Sequence, residues 1–198
     1  RTIRAQAVKR TTPKSFIYDM GQNMVGVPQI KFSGLTPGTK IRFRYAEILY
    51  PELPEYEGKE GTLMLENIRA AMAQDIYIAK GGEETFKPFF TNHGYRYIEI
   101  SGIEEELPLD NVEGIVLSSI KGIDAKYETS SELVNKLWSN ITWSTLGNFV
   151  SIPTDCPQRN ERLGWAGDIS VFSRTASYMA SIPQFLRRYL QSMRDVQR

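Results

Sequence analysis

The chain has 198 residues, 41% of them hydrophobic, which is enough to bury one large core or two smaller ones and too much for wholesale disorder. Its 24 Lys and Arg against 23 Asp and Glu leave a formal charge of +1, so it lacks the basic excess of a nucleic-acid or anionic-membrane binder. No run reaches the ~18 apolar residues of a membrane span, one Cys excludes an internal disulfide, and one His beside one Cys leaves no His/Cys zinc set, so no metal or cofactor is expected.

The chain opens Arg1-Thr-Ile-Arg4, without Met and without a signal-peptide apolar region, so it is expected to start inside a longer protein. Up to about residue 121 the pattern is strands and turns. Lys31-Phe-Ser-Gly34 closes one strand and Thr36-Pro-Gly-Thr39 is a turn signal. Ile41-Arg-Phe-Arg-Tyr45 then alternates apolar with basic, with Ile41, Phe43 and Tyr45 inward. Residues 28–50 therefore read as a hairpin. Further strands are expected at Asp75–Lys80, Thr85–Phe90, Tyr95–Ser101 and Val112–Ile120. Strands at this spacing, with no helical pattern between them, predict an antiparallel β-sandwich.

Residues 51–73 are the irregular part. The acidic, Pro- and Gly-punctuated run from Pro51 to Gly61 predicts an exposed loop, and it lacks the Asp-x-Asp spacing of a calcium loop. In Phe89-Phe-Thr-Asn-His-Gly-Tyr-Arg-Tyr97, His93 reads as hydrogen-bonding within a turn more readily than as a ligand contact, and the aromatics as sandwich core.

After residue 121 the pattern is helical. Thr129-Ser-Ser-Glu132 is a capping-box sequence. Leu133, Leu137 and Ile141, widened by Val134 and Trp138, predict an amphipathic helix over about 130–149, with Trp138 and Trp143 in the core. Ile169, Phe172, Ala176 and Met179 form a second helical stripe. Ser181-Ile-Pro-Gln184 starts a third helix with Phe185, Leu186, Tyr189, Leu190 and Met193 on its buried face. Three such stripes exceed what they can cover for one another, so either more helices follow in a longer protein, which is the reading taken here, or the chain self-associates through the uncovered helices.

Between the first two helices runs Asp155-Cys-Pro-Gln-Arg-Asn-Glu-Arg-Leu-Gly-Trp-Ala-Gly-Asp168. Pro157 and Gly164 interrupt any helix and predict a shaped loop. Two readings compete: a sugar-binding catalytic loop, and a charged turn held by Arg–carboxylate pairs. On the first, two-carboxylate chemistry fits sugar hydrolysis, one acid protonating the leaving oxygen while a partner activates water or attacks. Glu161 lies between Asp155 and Asp168, and flanking carboxylates favour a protonated acid. Trp165 offers a flat apolar face to a sugar ring. Asp168 is also a candidate helix cap. Cys156, with no His near it in sequence, reads as a buried structural residue.

The run Asp155–Asp168 resembles the active-site signature of bacterial α-L-rhamnosidases of glycoside hydrolase family 78. Tyr18-Asp-Met-Gly-Gln-Asn-Met-Val-Gly26, Gly61-Thr-Leu with Glu66-Asn-Ile-Arg69 and Asp75-Ile-Tyr77, and Phe90–Tyr97 are similar to stretches of the β-sandwich that precedes the barrel in that family. The resemblance covers residues 15–198. It implies a sandwich over 1–122 and, over 123–198, the opening helices of a truncated (α/α)6 barrel.

It further implies an inverting hydrolase acting on terminal α-L-rhamnose of glycosides or polysaccharides, with Glu161 as general acid. Asp155 and Asp168 match carboxylates that bind the sugar hydroxyls, Trp165 lines the sugar pocket, and Arg159 orients Asp155 or Glu161. Asn160 stands where members often carry Asp. The general base of the family lies far toward the C-terminal end of the barrel, so no residue here supplies it and the isolated chain is expected to be inactive. The compartment stays open between periplasm, exterior and cytoplasm. The alternative is a non-catalytic carbohydrate-binding or structural sandwich.

Overall fold

The strand β3 (Ser15–Phe32) organises the first part of the computed structural model, which describes residues 1–197. Around it lie β1 (Thr2–Arg4), β2 (Ala7–Thr12), β4 (Lys40–Ala46), β5 (Gln74–Ile78), β6 (Glu84–Phe86), β7 (His93–Ser101) and β8 (Val112–Val116). The main path runs β1-β8-β3-β7-β4-β5, with β2 and β6 pairing at opposite ends of β3, and every pairing is antiparallel. The antiparallel sheet expected from the strand spacing is therefore present.

The alternation in β4 behaves as read: Ile41, Phe43 and Tyr45 are fully buried. The expected hairpin over residues 28–50 is not formed. Ile100 of β7 pairs with Phe16 of β3 on one side and Phe43 of β4 on the other, so β7 separates the two strands. The connection over residues 33–39 is longer than the roughly two-to-five-residue loops that close hairpins, and the buried Ile98 and Ile100 make β7 the better neighbour. Two strands are shorter than expected. β6 ends at Phe86, just before Pro88, which cannot donate to a ladder. β8 ends at Val116. Phe89 and Phe90 fall outside the sheet and are exposed, not core.

The motif Tyr18–Gly26 builds an irregularity in β3, where the register with β7 shifts between Asp19 and Met24. Gly21 adopts a left-handed φ of 72° there, and its N–H donates to Asp19 Oδ1 at 2.7 Å. Arg96 closes on the same carboxylate in a fork, Nε to Oδ1 and Nη2 to Oδ2, both 2.8 Å. Tyr18, Tyr45, Tyr95, Phe32 and Phe43 are fully buried, each burial stabilising by about 1.5–3 kcal/mol.

The second unit comprises residues 117–157 and the chain from Glu161 onward, while Gln158–Asn160 cluster with the sheet residues. It contains α1 (Glu132–Asn148), the short ribbon β9 (Phe149–Val150) and β10 (Ile152–Pro153), α2 (Ala166–Met179) and α3 (Pro183–Val196). Its core gathers Leu146, Phe149, Ile169, Ala176, Ile182, Phe185 and Tyr189, with Trp143, Phe172, Leu186 and Met193 packed against it. The stripes of α2 and α3 are buried largely as read, although Leu190 is exposed.

On α1 the outcome differs. Leu133, Val134 and Leu137 are exposed, and the fully buried positions are Thr145, Leu146 and Gly147 at its C-terminal end. The period identifies a face, on which Trp138 packs its ring against Tyr127 while Leu133, Val134 and Leu137 stay exposed. The capping box is absent too. Ser131 is the N-cap and makes no side-chain bond. Instead Thr129 N–H donates to Asn135 Oδ1 and Asn135 Nδ2 donates to Thr129 O, both at 2.8 Å. No helix among the described residues is long and apolar enough to cross a membrane.

Candidate active site

The loop after β10 is closed at its base. Thr154 and Gly164 pair as an isolated antiparallel bridge, and Thr154 N–H donates to Asn148 O at the end of α1. Gly164 is required by space: a Cβ there would lie 2.8 Å from Cε2 of Tyr189 and 3.2 Å from Cδ1 of Ile152. Between these anchors the chain makes no regular element, as Pro157 and Gly164 predicted. Arg162 adopts φ 50°, a left-handed conformation that costs a side-chain-bearing residue about 1–2 kcal/mol. Desolvation also lowers the Arg162 guanidinium from its ordinary value, which leaves it cationic at neutral pH.

The folded-back loop joins residues that sequence separates. A carboxylate oxygen of Asp155, the sulfur of Cys156 and a carboxylate oxygen of Glu161 all lie within 4.8 Å of one another, each residue half-buried. Cys156 is thus less enclosed than a buried structural cysteine and sits beside two acids. Arg159 is half-buried in the same loop.

An open cavity of about 700 Å³ lies in the second unit. Its polar wall comes from Asn140, Ser144 and Asn148 of α1, Thr154 and Asp155 of the loop, and Asp168 of α2, with Phe172 as an apolar floor. Asp168 is in the first turn of α2, where a carboxylate is favoured by the helix dipole. The N-cap is Trp165, without a side-chain bond, so Asp168 is not the cap. Trp165 is exposed. Glu161, Arg159 and Trp165 are not among the residues lining the cavity. The fold therefore joins Asp155 to Glu161 in the loop and Asp155 to Asp168 in the cavity wall. The amide side chains of α1 were not singled out from sequence; their only signal is Asn at positions 140 and 148, on a helix otherwise read for its apolar stripe.

A separate polar cluster lies inside the sheet unit. Asp75 Oδ2 accepts from Tyr45 OH at 2.8 Å and lies 3.0 Å from His93 Nε2, while Oδ1 accepts from Thr91 Oγ1 at 2.7 Å. Burial would raise the Asp75 carboxyl, but the bonds from His93, Thr91 and Tyr45 outweigh it and hold the group below its ordinary value. The His93 ring stacks on Tyr45 at 4.0 Å. His93 is hydrogen-bonded, as expected, but as the first residue of β7 and not in a turn.

Two family models match the chain. Residues 9–118 match the bacterial alpha-L-rhamnosidase concanavalin-like domain, and residues 124–198 match the bacterial alpha-L-rhamnosidase 6 hairpin glycosidase domain. An alpha-L-rhamnosidase of Streptomyces avermitilis is 43% identical over 198 residues, covering 100% of this chain and 18% of its own length. The crystal structure of Streptomyces avermitilis alpha-L-rhamnosidase complexed with L-rhamnose superposes with a TM-score of 0.90, covering 100% of this chain and 18% of that one. The alpha-L-rhamnosidase from Dictyoglumus thermophilum, 38% identical, also gives 0.90, covering 100% of this chain and 22% of that one. The chain thus spans roughly a fifth of the length of these relatives.

Proposed function

This chain belongs to the bacterial α-L-rhamnosidase family, and we propose that it forms part of an inverting glycoside hydrolase that removes terminal α-L-rhamnose from glycosides or polysaccharides. Glu161 donates the proton to the leaving oxygen. Asp155 and Asp168 bind the sugar hydroxyls, Arg159 orients the acids, and Trp165 packs on the sugar. In this reading residues 1–122 form the sandwich and 123–198 the opening of the barrel, a division a few residues past Val116, where the two compact units part.

One observation carries this reading: the closed loop puts the Asp155 and Glu161 oxygens within 4.8 Å of each other, beside a cavity that Asp155 shares with Asp168. That spacing bears on the role of Asp155. An inverting pair stands roughly 6.5–9.5 Å apart to admit a water, whereas a retaining pair stands about 5–5.5 Å apart. At that spacing Asp155 stands too near Glu161 to activate the water, so in this reading the base is a carboxylate other than Asp155. The test is the anomer first released from an α-L-rhamnoside by the full-length protein, read by proton NMR. Inversion gives β-L-rhamnose. An α product would make Asp155 a nucleophile and overturn the assignment.

The exposed pair Phe89 and Phe90 favours a second reading, a sugar-contacting surface on the sheet unit. Calorimetric binding of rhamnosides that persists after removal of residues 124–198 supports it, and loss of all binding removes it.

A further inference from the structure

Gly94 stands inside β7, paired with Val25 of β3. Its backbone is not left-handed, so torsion gives no reason for glycine at this position. A strand glycine with ordinary torsions weakens a sheet unless another backbone approaches it closely. Such an approach exists. A Cβ on Gly94 would fall 2.7 Å from Cβ of Gln158, 3.0 Å from its Cα and 3.2 Å from its N. These are main-chain and first side-chain atoms, so rotating the Gln158 amide away does not relieve the overlap.

Gln158–Asn160 cluster with the sheet unit, and the seat is firm. Tyr95 beside Gly94 is fully buried, and His93 on its other side is held against Asp75. Chain connectivity does the rest. Glu161 directly follows Asn160, and Asp155 precedes Gln158 by two intervening residues.

We propose that Gly94 is a positioning residue for the active-site loop: its missing side chain admits Gln158 onto β7, and that seating fixes the loop between Asp155 and Glu161. The catalytic part of this inference rests on the reading of Glu161 as the acid; the seating does not.

The experiment is a double-mutant cycle in the full-length protein, comparing wild type, Gly94→Ala, Gln158→Gly and Gly94→Ala/Gln158→Gly. One readout is the rate of native-state tryptic cleavage after Arg159 or Arg162. The other is kcat and KM on an aryl α-L-rhamnoside. Gly94→Ala is expected to speed cleavage about tenfold or more and to lower kcat by up to ~100-fold, the cost of a ~1 Å misplacement, with a smaller change in KM. With Gly at position 158 the same Gly94→Ala change is expected to alter both readouts clearly less, because the 2.7 Å overlap with the Gln158 Cβ is gone and only the looser 3.0 and 3.2 Å approaches to its Cα and N remain. If Gly94→Ala does not fold, the double variant should. Unchanged cleavage in Gly94→Ala, an equal effect in both backgrounds, or failure of the double variant to fold would each overturn the proposal. A full-length protein with no rhamnosidase activity would instead sink the catalytic reading, and the cleavage arm would still decide the seating.

Discussion

Thr154 and Gly164 pair as an antiparallel bridge, so the loop that carries Asp155 and Glu161 begins and ends at one point. The bridge depends on glycine because Tyr189 and Ile152 occupy the space a side chain would take. Gly164→Val is expected to cost about 1–3 kcal/mol through overpacking, read as a lower thermal midpoint of the full-length protein. It should also lower kcat, since the acids lose their common anchor. A variant with wild-type melting and wild-type kcat would show that the bridge does not organise the loop.

Acid should destabilise the sheet unit through Asp75 and Asp19. Burial raises both carboxyls, but the bonds that Asp75 accepts from His93, Thr91 and Tyr45, and those Asp19 accepts from Arg96 and Gly21, prevail and lower both. A group with a depressed folded value binds protons more weakly folded than unfolded. Its stabilisation is therefore present above the ordinary carboxylate value of about 3.9 and is lost as pH falls through and below it. Denaturant unfolding should show stability falling below about pH 4, and Asp75→Asn should flatten that dependence. The same variant at neutral pH should lose about 1–3 kcal/mol, because the buried donors no longer face a carboxylate. An unaltered acid limb in Asp75→Asn would remove the cluster from this role.

The isolated chain should self-associate. Leu133, Leu137, Val171, Tyr178 and Leu190 are exposed on its helices, and large exposed apolar surface drives association. Light scattering should show a mass that grows with concentration, and Leu133→Glu with Leu137→Glu should reduce it. A strictly monomeric chain at high concentration would contradict this.

The parts of this structure legible in the sequence are those whose evidence is local. The alternation in Ile41–Tyr45, the stripes of α2 and α3, and the contiguous loop from Asp155 to Asp168 each reveal themselves within a short window. What escaped depends on distant partners. The hairpin over residues 28–50 failed because β7, some fifty residues on, pairs with both strands. The stripe of α1 named a face correctly as apolar, but periodicity does not say what covers it. Asp75 reads in sequence only as a strand residue within a motif, and its place at the centre of a polar cluster is hidden because His93, Thr91 and Tyr45 reach it from other segments. The approach of Asp155 to Glu161 was suspected from composition, yet it follows from the bridge at Thr154 and Gly164, which spacing alone does not specify.

Removing Cys156 from the acid pair is expected to be mild. Its sulfur lies within 4.8 Å of both carboxylates, but the proposed chemistry uses no thiol. Cys156→Ser should keep kcat within about tenfold of wild type, since it leaves the proton donor in place. A loss as large as that from removing Glu161 would require a direct role for the thiol.

The most direct test is rhamnose release from a natural rhamnoside by the full-length protein, comparing wild type with Glu161→Gln. A positioned general acid contributes about 10²–10⁴-fold, and the amide has no proton of that acidity to give. The account predicts a loss of kcat in that range, smaller on an aryl rhamnoside whose leaving group needs little protonation. Near wild-type release of rhamnose by Glu161→Gln would contradict it.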